Sequence, residues 1–470
     1  MPSLTNYDGS IVATPQRVVR PETVEQLQTI LKASDQFPGP VRAMGSFHSL
    51  TPCASSPGTM VDMSGMKNIL DIDLRKLTLT AQAGLQLVEA AAVLRRQRLQ
   101  LMLNAEIGNM TIGSAACCQS KDSLDGVEFG QVSSYVTAIK WVNPAGELEE
   151  ASEDTNAGLL SFMRASYGLC GIVYQVTLAV KPLEIVRFDY HCVHLDDLTQ
   201  QQVSEFLESN ESAVFWTIGR TVVIKSRNRA TELRHAWLAP MRRRAWSHLG
   251  AYVSRAICRY TPGRILSLVQ DGGFAFNSWL YRVLSAIGGF SLYDPDKMIN
   301  YAGTPASARY AFTFWAFPVR DWVKNLKAYV EFRDEHARRH GFRCNMQLGS
   351  YFIRRDTSSL LSYSYDGDII SIDPIHAPSE RDRHAWTHFL EQFNEWAHAR
   401  DGIPLLNQSP YVKKAHLVAA YGERWKTFSE WVRTVDPNGR MLNPFFHELL
   451  MQPADDLAFS TTASAGVSGQ

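Results

Sequence analysis

Residues 41–50 read VRAMGSFHSL, a short strand-like run that ends in a turn containing Gly45 and His48. Because glycine has no side chain, the backbone of such a turn can approach a ligand closely, and successive N–H groups can form a concave site for an anion. A pyrophosphate group suits a site of this kind. The alternative is an ordinary loop with one exposed histidine.

The composition excludes several classes of protein. The 470 residues contain 47 Lys+Arg and 47 Asp+Glu, so the formal charge is zero and no overall field attracts nucleic acid. With 45% hydrophobic residues, the chain can fill a large core, and its length predicts more than one domain. Seven cysteines without a disulfide-like spacing, no secretory signal and no long apolar run predict a soluble cytoplasmic protein.

The order of strand and helix patterns predicts an α+β fold. Strands and helices are mixed without strict βαβ alternation up to Pro182, and neither G-x-G-x-x-G nor the P-loop motif occurs. Residues 85–99 predict a helix, and residues 143–146 predict a hairpin turn. After Pro182 the amino-acid composition changes, and residues 232–300 are enriched in Trp, Tyr, Arg and Leu. This change indicates a second domain.

Several short segments, in this order along the chain, resemble the FAD domain of the vanillyl-alcohol oxidase / p-cresol methylhydroxylase (PCMH) superfamily. They are VRPETVEQL (19–27), VRAMGSFHS (41–49), VDMSGMKNIL (61–70), LTAQAG (79–84), TIGSA (111–115), VNPAGE (142–147) and GLCGIVYQVTL (168–178). Residues 215–229 and 435–445 resemble the sugar-1,4-lactone oxidase and alditol oxidase branch.

This resemblance implies a two-domain PCMH-type FAD-binding fold with an α+β substrate (cap) domain. The implied division is an FAD-binding domain at 1–182, a cap domain at 183–430, a C-terminal segment at 431–455 that returns to the FAD domain, and a flexible tail at 456–470. No counterpart can be placed for residues 232–300.

The resemblance also assigns the cofactor residues. His48 matches the histidine that carries FAD through an 8α-histidyl bond, which would make the flavin a stronger oxidant. The other residues expected around the cofactor are Gly45, Ser46, Phe47 and Ser49 in the turn, with Gly113, Ser114 and Ile172 closing over it. For Ile172 an ordinary core strand is the alternative.

Two departures from the family pattern concern the flavin surroundings. Where relatives have a second glycine and a histidine-containing turn, this chain reads SAACCQSK over 114–121, so that Cys117 or Cys118 either forms a second covalent link or fills a buried space. Ala105 aligns with the residue that lines the approach of oxygen, where a methyl group would obstruct O2. The electron acceptor is therefore O2 or another molecule.

The substrate-binding residues follow from the same branch. Lys414, in the sequence KKAH, would stabilise negative charge, and His376 would act as the base that removes a hydroxyl proton. A solvated lysine and a structural histidine are the alternatives. Asn345 and Gln347 stand where relatives have a Glu-x-Arg pair, and amides cannot take a proton or neutralise an anion, which weighs against sugar-lactone specificity.

Two weaker patterns lie in the second half of the chain. His336 and His340 share a helical face and could bind zinc, but the surrounding charges are typical of a solvated helix, so we expect no metal. Residues 234–250 place three arginines among tryptophans, which allows a weak contact with a membrane surface or packing against the protein itself.

The sequence therefore predicts an FAD-dependent oxidase or dehydrogenase that oxidises a C–OH group of a polyol or sugar-lactone-like small molecule by hydride transfer to flavin N5. Two alternatives remain open. One is a tailoring enzyme that acts on a larger apolar substrate, and the other is a flavin-binding protein without redox turnover.

Overall fold

A computed structural model describes residues 2–120, 122 and 130–451 of the chain. The predicted flexible tail at 456–470 lies outside the described residues. The strands are β1 (Leu4–Thr5), β2 (Val12–Ala13), β3 (Arg17–Val19), β4 (Val41–Met44), β5 (Thr59–Asp62), β6 (Ile69–Asp73), β7 (Thr78–Gln82), β8 (Leu99–Leu101), β9 (Val136–Val142), β10 (Leu148–Ser152), β11 (Ile172–Pro182), β12 (Ile185–His194), β13 (Ser212–Ile218), β14 (Thr221–Ala230), β15 (Phe290–Tyr293), β16 (Ala311–Phe312), β17 (Trp315–Pro318), β18 (Leu348–Ile353), β19 (Ile369–Ile372), β20 (Ile375–His376) and β21 (Ile403–Pro404).

The helices are α1 (Val24–Lys32), α2 (Leu87–Arg96), α3 (Ile112–Cys117), α4 (Ala157–Met163), α5 (Gln200–Ser209), α6 (Leu238–Arg244), α7 (Ala251–Tyr260), α8 (Gly263–Ala286), α9 (Trp322–His340), α10 (Arg383–His398), α11 (Lys414–Tyr421), α12 (Glu423–Val435) and α13 (Pro444–Met451). A π-helical stretch at Ala245–Gly250 joins α6 to α7. The predicted α+β organisation is confirmed.

Two larger sheets form most of the first half of the molecule, beside the two-stranded sheet β1-β2. A parallel sheet has the order β3-β5-β4, and an antiparallel sheet has the order β10-β9-β11-β7-β6 with β8 also paired to β11. The predicted hairpin joins β9 to β10, with Val142 opposite Leu148. The core between these sheets also includes apolar side chains of α11, α12 and α13, so residues 414–451 pack back onto the first half of the molecule.

The helix predicted over residues 85–99 is shorter in the structure. It begins at Leu87 because Gln86 and Glu89 form a capping box, in which the Glu89 carboxylate accepts a hydrogen bond from Gln86 N–H. It ends at Arg96, and a positive φ of 57° at Arg98 turns the chain into β8.

An eight-stranded antiparallel sheet forms the second half, in the order β15-β12-β14-β13-β18-β19-β17-β21. Side chains of a strand alternate between its faces, and here both faces are buried. In β13, Phe215 belongs to the core beneath α9 and α10, whereas Val214 and Trp216 belong to the core on the opposite face. The strand β11 of the first half ends at Pro182, and β12 of this sheet begins at Ile185. The exact domain boundaries remain a prediction.

Residues 238–286, which we call the helical insert, cover that opposite face through α6, α7 and α8. Tyr281 and Leu284 of α8 pack on the core that contains Trp216. In the part of the chain that the structure describes, no helix combines the length and apolar character needed to span a bilayer.

Candidate active site

A cleft of about 1020 Å³ lies where β4, the start of α3 and the loop after β21 meet. Its lining includes most of the predicted cofactor residues: Gly45, Ser46, Phe47, His48, Ser49, Gly113 and Ser114. Ile172 is fully buried in the core, which agrees with the alternative of an ordinary core-strand residue. Its neighbours Gly171 and Val173 line the cleft instead.

The turn after β4 presents unused backbone donors to this cleft. Among the residues that the structure describes, no protein group accepts a hydrogen bond from the N–H of Ser46, Phe47, His48 or Ser49. Phe47 has a positive φ of 53°, and its carbonyl accepts a hydrogen bond from Tyr7 N–H at 3.1 Å. Consecutive amides held in this way form a site for phosphate oxygens.

Contacts on several sides fix the imidazole of His48. Asn109 Nδ2 lies 2.7 Å from His48 Nε2, and Tyr301 N–H donates to Asn109 Oδ1 at 3.2 Å. Because that second bond fixes the oxygen of the amide, Asn109 donates and His48 Nε2 accepts. The ring of Tyr7 stacks on the imidazole with the centroids 4.8 Å apart.

The environment of His48 keeps its ring neutral. Burial lowers the pKa of His48 to about 4, and the positive charge of Arg309 acts in the same direction. A neutral imidazole has a free lone pair at physiological pH, which attachment to a carbon atom requires.

Glycine is required where the turn passes α3. A Cβ atom on Gly45 would lie 2.4 Å from Thr111 Oγ1 and 2.5 Å from Ser114 Oγ, and one on Gly113 would lie 2.8 Å from Ala83 Cβ. The start of α3 therefore sits directly against the turn after β4 and against Ala83, which follows β7, and this close packing shapes the wall of the cleft.

Polar atoms without a protein partner face the same cleft from the far end of the chain. Asn407 and Gln408 line it, and within the described ranges Asn407 Oδ1 and Gln408 Oε1 are buried and accept no hydrogen bond. Buried oxygens without donors are unfavourable unless a ligand supplies the donors. These acceptors and the turn amides together fit a cofactor that has both phosphate oxygens and ring N–H groups, as FAD has.

Cys117 and Cys118 both line the cleft. Burial raises the pKa of Cys117 to about 12 and holds the pKa of Cys118 well above its ordinary value. Since the thiolate is the nucleophile of cysteine, both thiols are unreactive at neutral pH. This environment favours packing over a second covalent link.

A second cavity, which we call the aromatic chamber, adjoins the cleft. The two share Ile107, Met110, Phe312 and Gln408, and the chamber has a volume of about 680 Å³ with its opening to solvent included. Its aromatic walls are Trp216, Trp246, Tyr301, Tyr310, Phe312 and Tyr351. Ala105 lines this chamber rather than the cleft, so its methyl group lies in the cavity that adjoins the cofactor site.

Hydrogen bonds order the aromatic side chains. Trp246 Nε1 lies 3.2 Å from Tyr310 OH, which lies 3.0 Å from Tyr301 OH. Burial raises the pKa of Tyr310 to about 12, so its hydroxyl stays protonated and can donate.

Two carboxylates, Glu106 and Asp373, also line the chamber. Glu106 Oε2 lies 3.5 Å from an Arg242 guanidinium nitrogen, whereas Glu106 Oε1 is buried without a hydrogen-bond partner among the described residues. The Glu106 carbonyl accepts from Ile299 N–H at 2.8 Å, which ties this loop to the second half of the molecule. The free carboxylate oxygen can accept a hydrogen bond from a hydroxyl group in the chamber.

The structure does not bring His376 to either cavity. Its Nδ1 accepts a hydrogen bond from Asn345 N–H at 3.3 Å, and its Nε2 lies 3.2 Å from Asp382 Oδ2. Burial lowers the pKa of His376, while Asp382 opposes the shift. The side chain of Asn345 bonds the backbone of Ala377, accepting from its N–H at 2.8 Å and donating to its carbonyl at 3.1 Å. His376 and Asn345 therefore both bond other parts of the protein. For His376 this agrees with the alternative of a structural histidine.

Gln347 and Lys414 also lie outside the lining of both cavities. Gln347 Oε1 accepts from Asn277 Nδ2 at 2.7 Å, so this amide fastens α8 of the helical insert to the chain before β18. Lys414 is the first residue of α11 and is half-buried there. The four substrate residues implied by the resemblance are thus not assembled around the chamber.

Sequence reasoning missed the residues that do line or order the site. No local motif contains these residues, which are Tyr7, Asn109, Glu106 and Tyr310. The sequence could have pointed only to Glu106, because it directly follows Ala105, a residue that the resemblance places near the flavin. The others reach the site through contacts between segments far apart in the chain.

Comparison with known proteins identifies the cofactor domain. Residues 15–152 match the profile of the FAD binding domain family, so this part of the chain is an FAD-binding domain. The predicted relationship to the vanillyl-alcohol oxidase / PCMH superfamily, in its sugar-lactone-oxidising branch, is confirmed by the relatives described below.

The chain is 28% identical over 216 residues to L-gulono-1,4-lactone dehydrogenase of Mycobacterium tuberculosis, a match that covers 46% of this chain and 49% of that protein. The chain thus spans about half the length of this curated relative. It is 20% identical over 453 residues to L-gulonolactone oxidase of Scyliorhinus torazame, covering 94% and 97% of the two chains. Cholesterol oxidase from Brevibacterium sterolicum has the same fold, with a TM-score of 0.73 and 14% identity over 95% of this chain and 96% of that one.

Proposed function

We propose that the protein is an FAD-dependent oxidoreductase that oxidises a C–OH group of a polyol or sugar-lactone-like molecule. The observation that carries the proposal is the row of unused N–H groups beside the neutral His48, at the mouth of a cleft that adjoins the aromatic chamber. The sugar-lactone specificity of the relatives supports this substrate class.

The amides of residues 46–49 would hold the phosphates of FAD, and Gln408, which lines both cavities, would supply polar contacts to the cofactor. When bound, FAD accepts a hydride at N5 and passes the electrons to O2 or another acceptor. His48 carries the flavin covalently. Because Asn109 donates to Nε2, Nδ1 carries the proton of the neutral ring; a link through Nδ1 would replace this proton, preserve the hydrogen bond from Asn109 and leave the flavin reduced by two electrons until the acceptor reoxidises it.

In the chamber, aromatic faces stack on the C–H surfaces of a substrate, and Glu106 Oε1 accepts the hydroxyl proton as the hydride leaves. Arg242 holds the other oxygen of this carboxylate. The geometry supports Glu106 in the role that the resemblance gave to His376, because Glu106 lines the chamber and His376 does not.

A larger apolar alcohol is the second candidate substrate, and exposed apolar side chains at residues 237–249, at the start of the helical insert and directly before it, favour it. Trp237, Met241 and Leu249 are 61%, 58% and 56% exposed, and Trp246 of the same segment lines the chamber. Arg244 is also exposed and suits anionic headgroups. With a large apolar alcohol as the substrate, residues 234–250 contact a membrane surface beside the chamber. The seven unpaired cysteines support the proposed cytoplasmic location.

The test is anaerobic bleaching of the purified yellow protein with lactones, polyols and apolar alcohols. Reduction by a lactone or polyol supports the first substrate class, and reduction only by an apolar alcohol supports the second. If dithionite alone bleaches the flavin, the protein binds flavin without turnover and both versions are wrong.

The covalent link is tested by acid precipitation. Yellow colour should stay in the pellet of the native protein and of His194→Ala, a control at an exposed histidine, and should pass to the supernatant in His48→Ala. Release of the flavin from the native protein would contradict the link.

Membrane contact is tested by sedimentation with anionic phosphatidylglycerol vesicles. Trp237→Ser together with Leu249→Ser should abolish co-sedimentation, whereas Leu148→Ser, a control at a residue 53% exposed on β10, should not. Equal loss in both variants would contradict a specific contact.

A further inference from the structure

Three histidines from two helices meet on the surface of the second half of the molecule. His336 and His340 lie one turn apart on α9, and His388 lies on α10. One ligand atom from each ring lies within 4.8 Å of the others. None of the three lines the cleft or the aromatic chamber, so this cluster is separate from the proposed redox site.

The packing of α9 on α10 creates this meeting. Phe332, one turn before His336, lies 5.7 Å from Phe389 between ring centroids, and His336 itself lies 5.1 Å from Phe389. These contacts belong to one buried core, which fixes the spacing of the two helices. The third histidine is therefore brought to the pair by a rigid interface.

His336 is held in the form that binds metals. It is 3% exposed, and its Nδ1 lies 3.4 Å from the carbonyl of Phe342. A carbonyl can only accept, so Nδ1 carries the proton and Nε2 has the free lone pair. Among the described residues, that buried Nε2 has no hydrogen-bond partner. A carbonyl that orients one ring nitrogen so that the other binds a metal is a recurrent arrangement in metal sites.

We propose that His336, His340 and His388 bind one transition-metal ion of the Zn²⁺ class. Three nitrogens of a tetrahedral zinc site lie about 3.3 Å apart, so closure of the cluster needs rotamer adjustments of about 1.5 Å at most. His340 is exposed, which leaves the fourth position to water. The ion fastens the C-terminal end of α9 to α10.

Several charged groups of α9 close to the cluster are engaged with each other. Glu335 forms ion pairs with Arg338 and Arg339, and Arg333 pairs with Asp334 at 2.8 Å.

The test is a titration of the chelator-treated, flavin-containing protein with Zn²⁺ against a zinc-binding dye. We expect one zinc ion per chain to be lost, or bound at least about tenfold more weakly, in both His340→Gln and His388→Gln. His384→Gln is the matched control, because this exposed histidine lies one turn before His388 on the same helix. It should bind zinc like the native protein.

Two further readouts separate a metal site from a change in folding. Co²⁺ should give the visible absorption of a tetrahedral site in the native protein and in His384→Gln, but not in His340→Gln. Zn²⁺, but not Mg²⁺, should raise the melting temperature of the same two proteins. Unchanged zinc affinity in both cluster variants, or an equal loss in His384→Gln, would overturn the proposal.

Discussion

Replacing Gly45 by alanine probes the packing that shapes the cofactor cleft. The added Cβ would lie 2.4 Å from Thr111 Oγ1 and 2.5 Å from Ser114 Oγ. Ser114 can rotate its hydroxyl away. Thr111 cannot do so freely, because its methyl carbon lies 3.2 Å from the same position and would replace the hydroxyl.

The expected decrease in the free energy of unfolding has two parts. Relief of the overlap requires α3 to move or the side chains to leave their preferred rotamers, which costs about 1–3 kcal/mol. Movement of Thr111 also breaks its cap on α3, in which it accepts a hydrogen bond from Ser114 N–H at 3.3 Å, and loss of such a cap costs about 1 kcal/mol. We therefore expect Gly45→Ala to lower the free energy of unfolding by about 2–4 kcal/mol and to reduce the FAD content.

The assay is urea unfolding followed by tryptophan fluorescence, together with the ratio of visible to ultraviolet absorbance as the measure of bound FAD. Gly158→Ala is the control, since Gly158 lies in α4 and no other group lies within 4 Å of an added Cβ. This change should stabilise the protein by up to about 1 kcal/mol. Native stability and FAD content in Gly45→Ala would show that the close packing of β4 on α3 does not shape the cleft.

Three further predictions concern single side chains. Cys118→Ser should retain the flavin in the acid-precipitated pellet, because burial keeps the thiol protonated; loss of colour would show that Cys118 forms a link. Burial lowers the pKa of His376, so the unfolded chain, with a histidine pKa of about 6.5, binds this proton more readily. Stability should therefore fall as the pH drops below about 6.5. In His376→Gln, the urea midpoint should decrease less as the pH drops. An unchanged pH profile would show that protonation of His376 does not cause the loss of stability. Glu106→Gln should slow anaerobic flavin reduction by about 10²–10⁴-fold at unchanged FAD content, measured by stopped flow, and a native rate would exclude Glu106 as the proton acceptor.

The sequence was most informative where one short segment builds one feature. The turn of residues 45–49, the hairpin at 143–146 and the strand that ends at Pro182 each depend on neighbouring residues, and the structure has the hairpin and the strand end where the sequence predicted them. The cleft likewise contains the turn and the residues at the start of α3.

The substrate end was less predictable because it depends on distant segments. His376 and Asn345 look like substrate residues by position, but the backbone of Ala377 engages Asn345 and Asp382 pairs with His376. Glu106 reaches the chamber only because its loop pairs with Ile299. Likewise, the spacing of His336 and His340 gave no sign of His388, since helix packing rather than sequence separation brings the third ring close.

The guanidinium of Arg42, at the edge of the cofactor cleft, donates to the carbonyls of Cys53, Tyr167, Gly168 and Met441. The last of these partners lies 399 residues further along the chain. At synthesis rates of 5–20 residues per second, about 20–80 s separate the emergence of Arg42 and Met441 from the ribosome. The nascent chain thus keeps an incompletely paired arginine at the edge of the cofactor cleft until Met441 has emerged, so this wall of the cleft is completed only after that point.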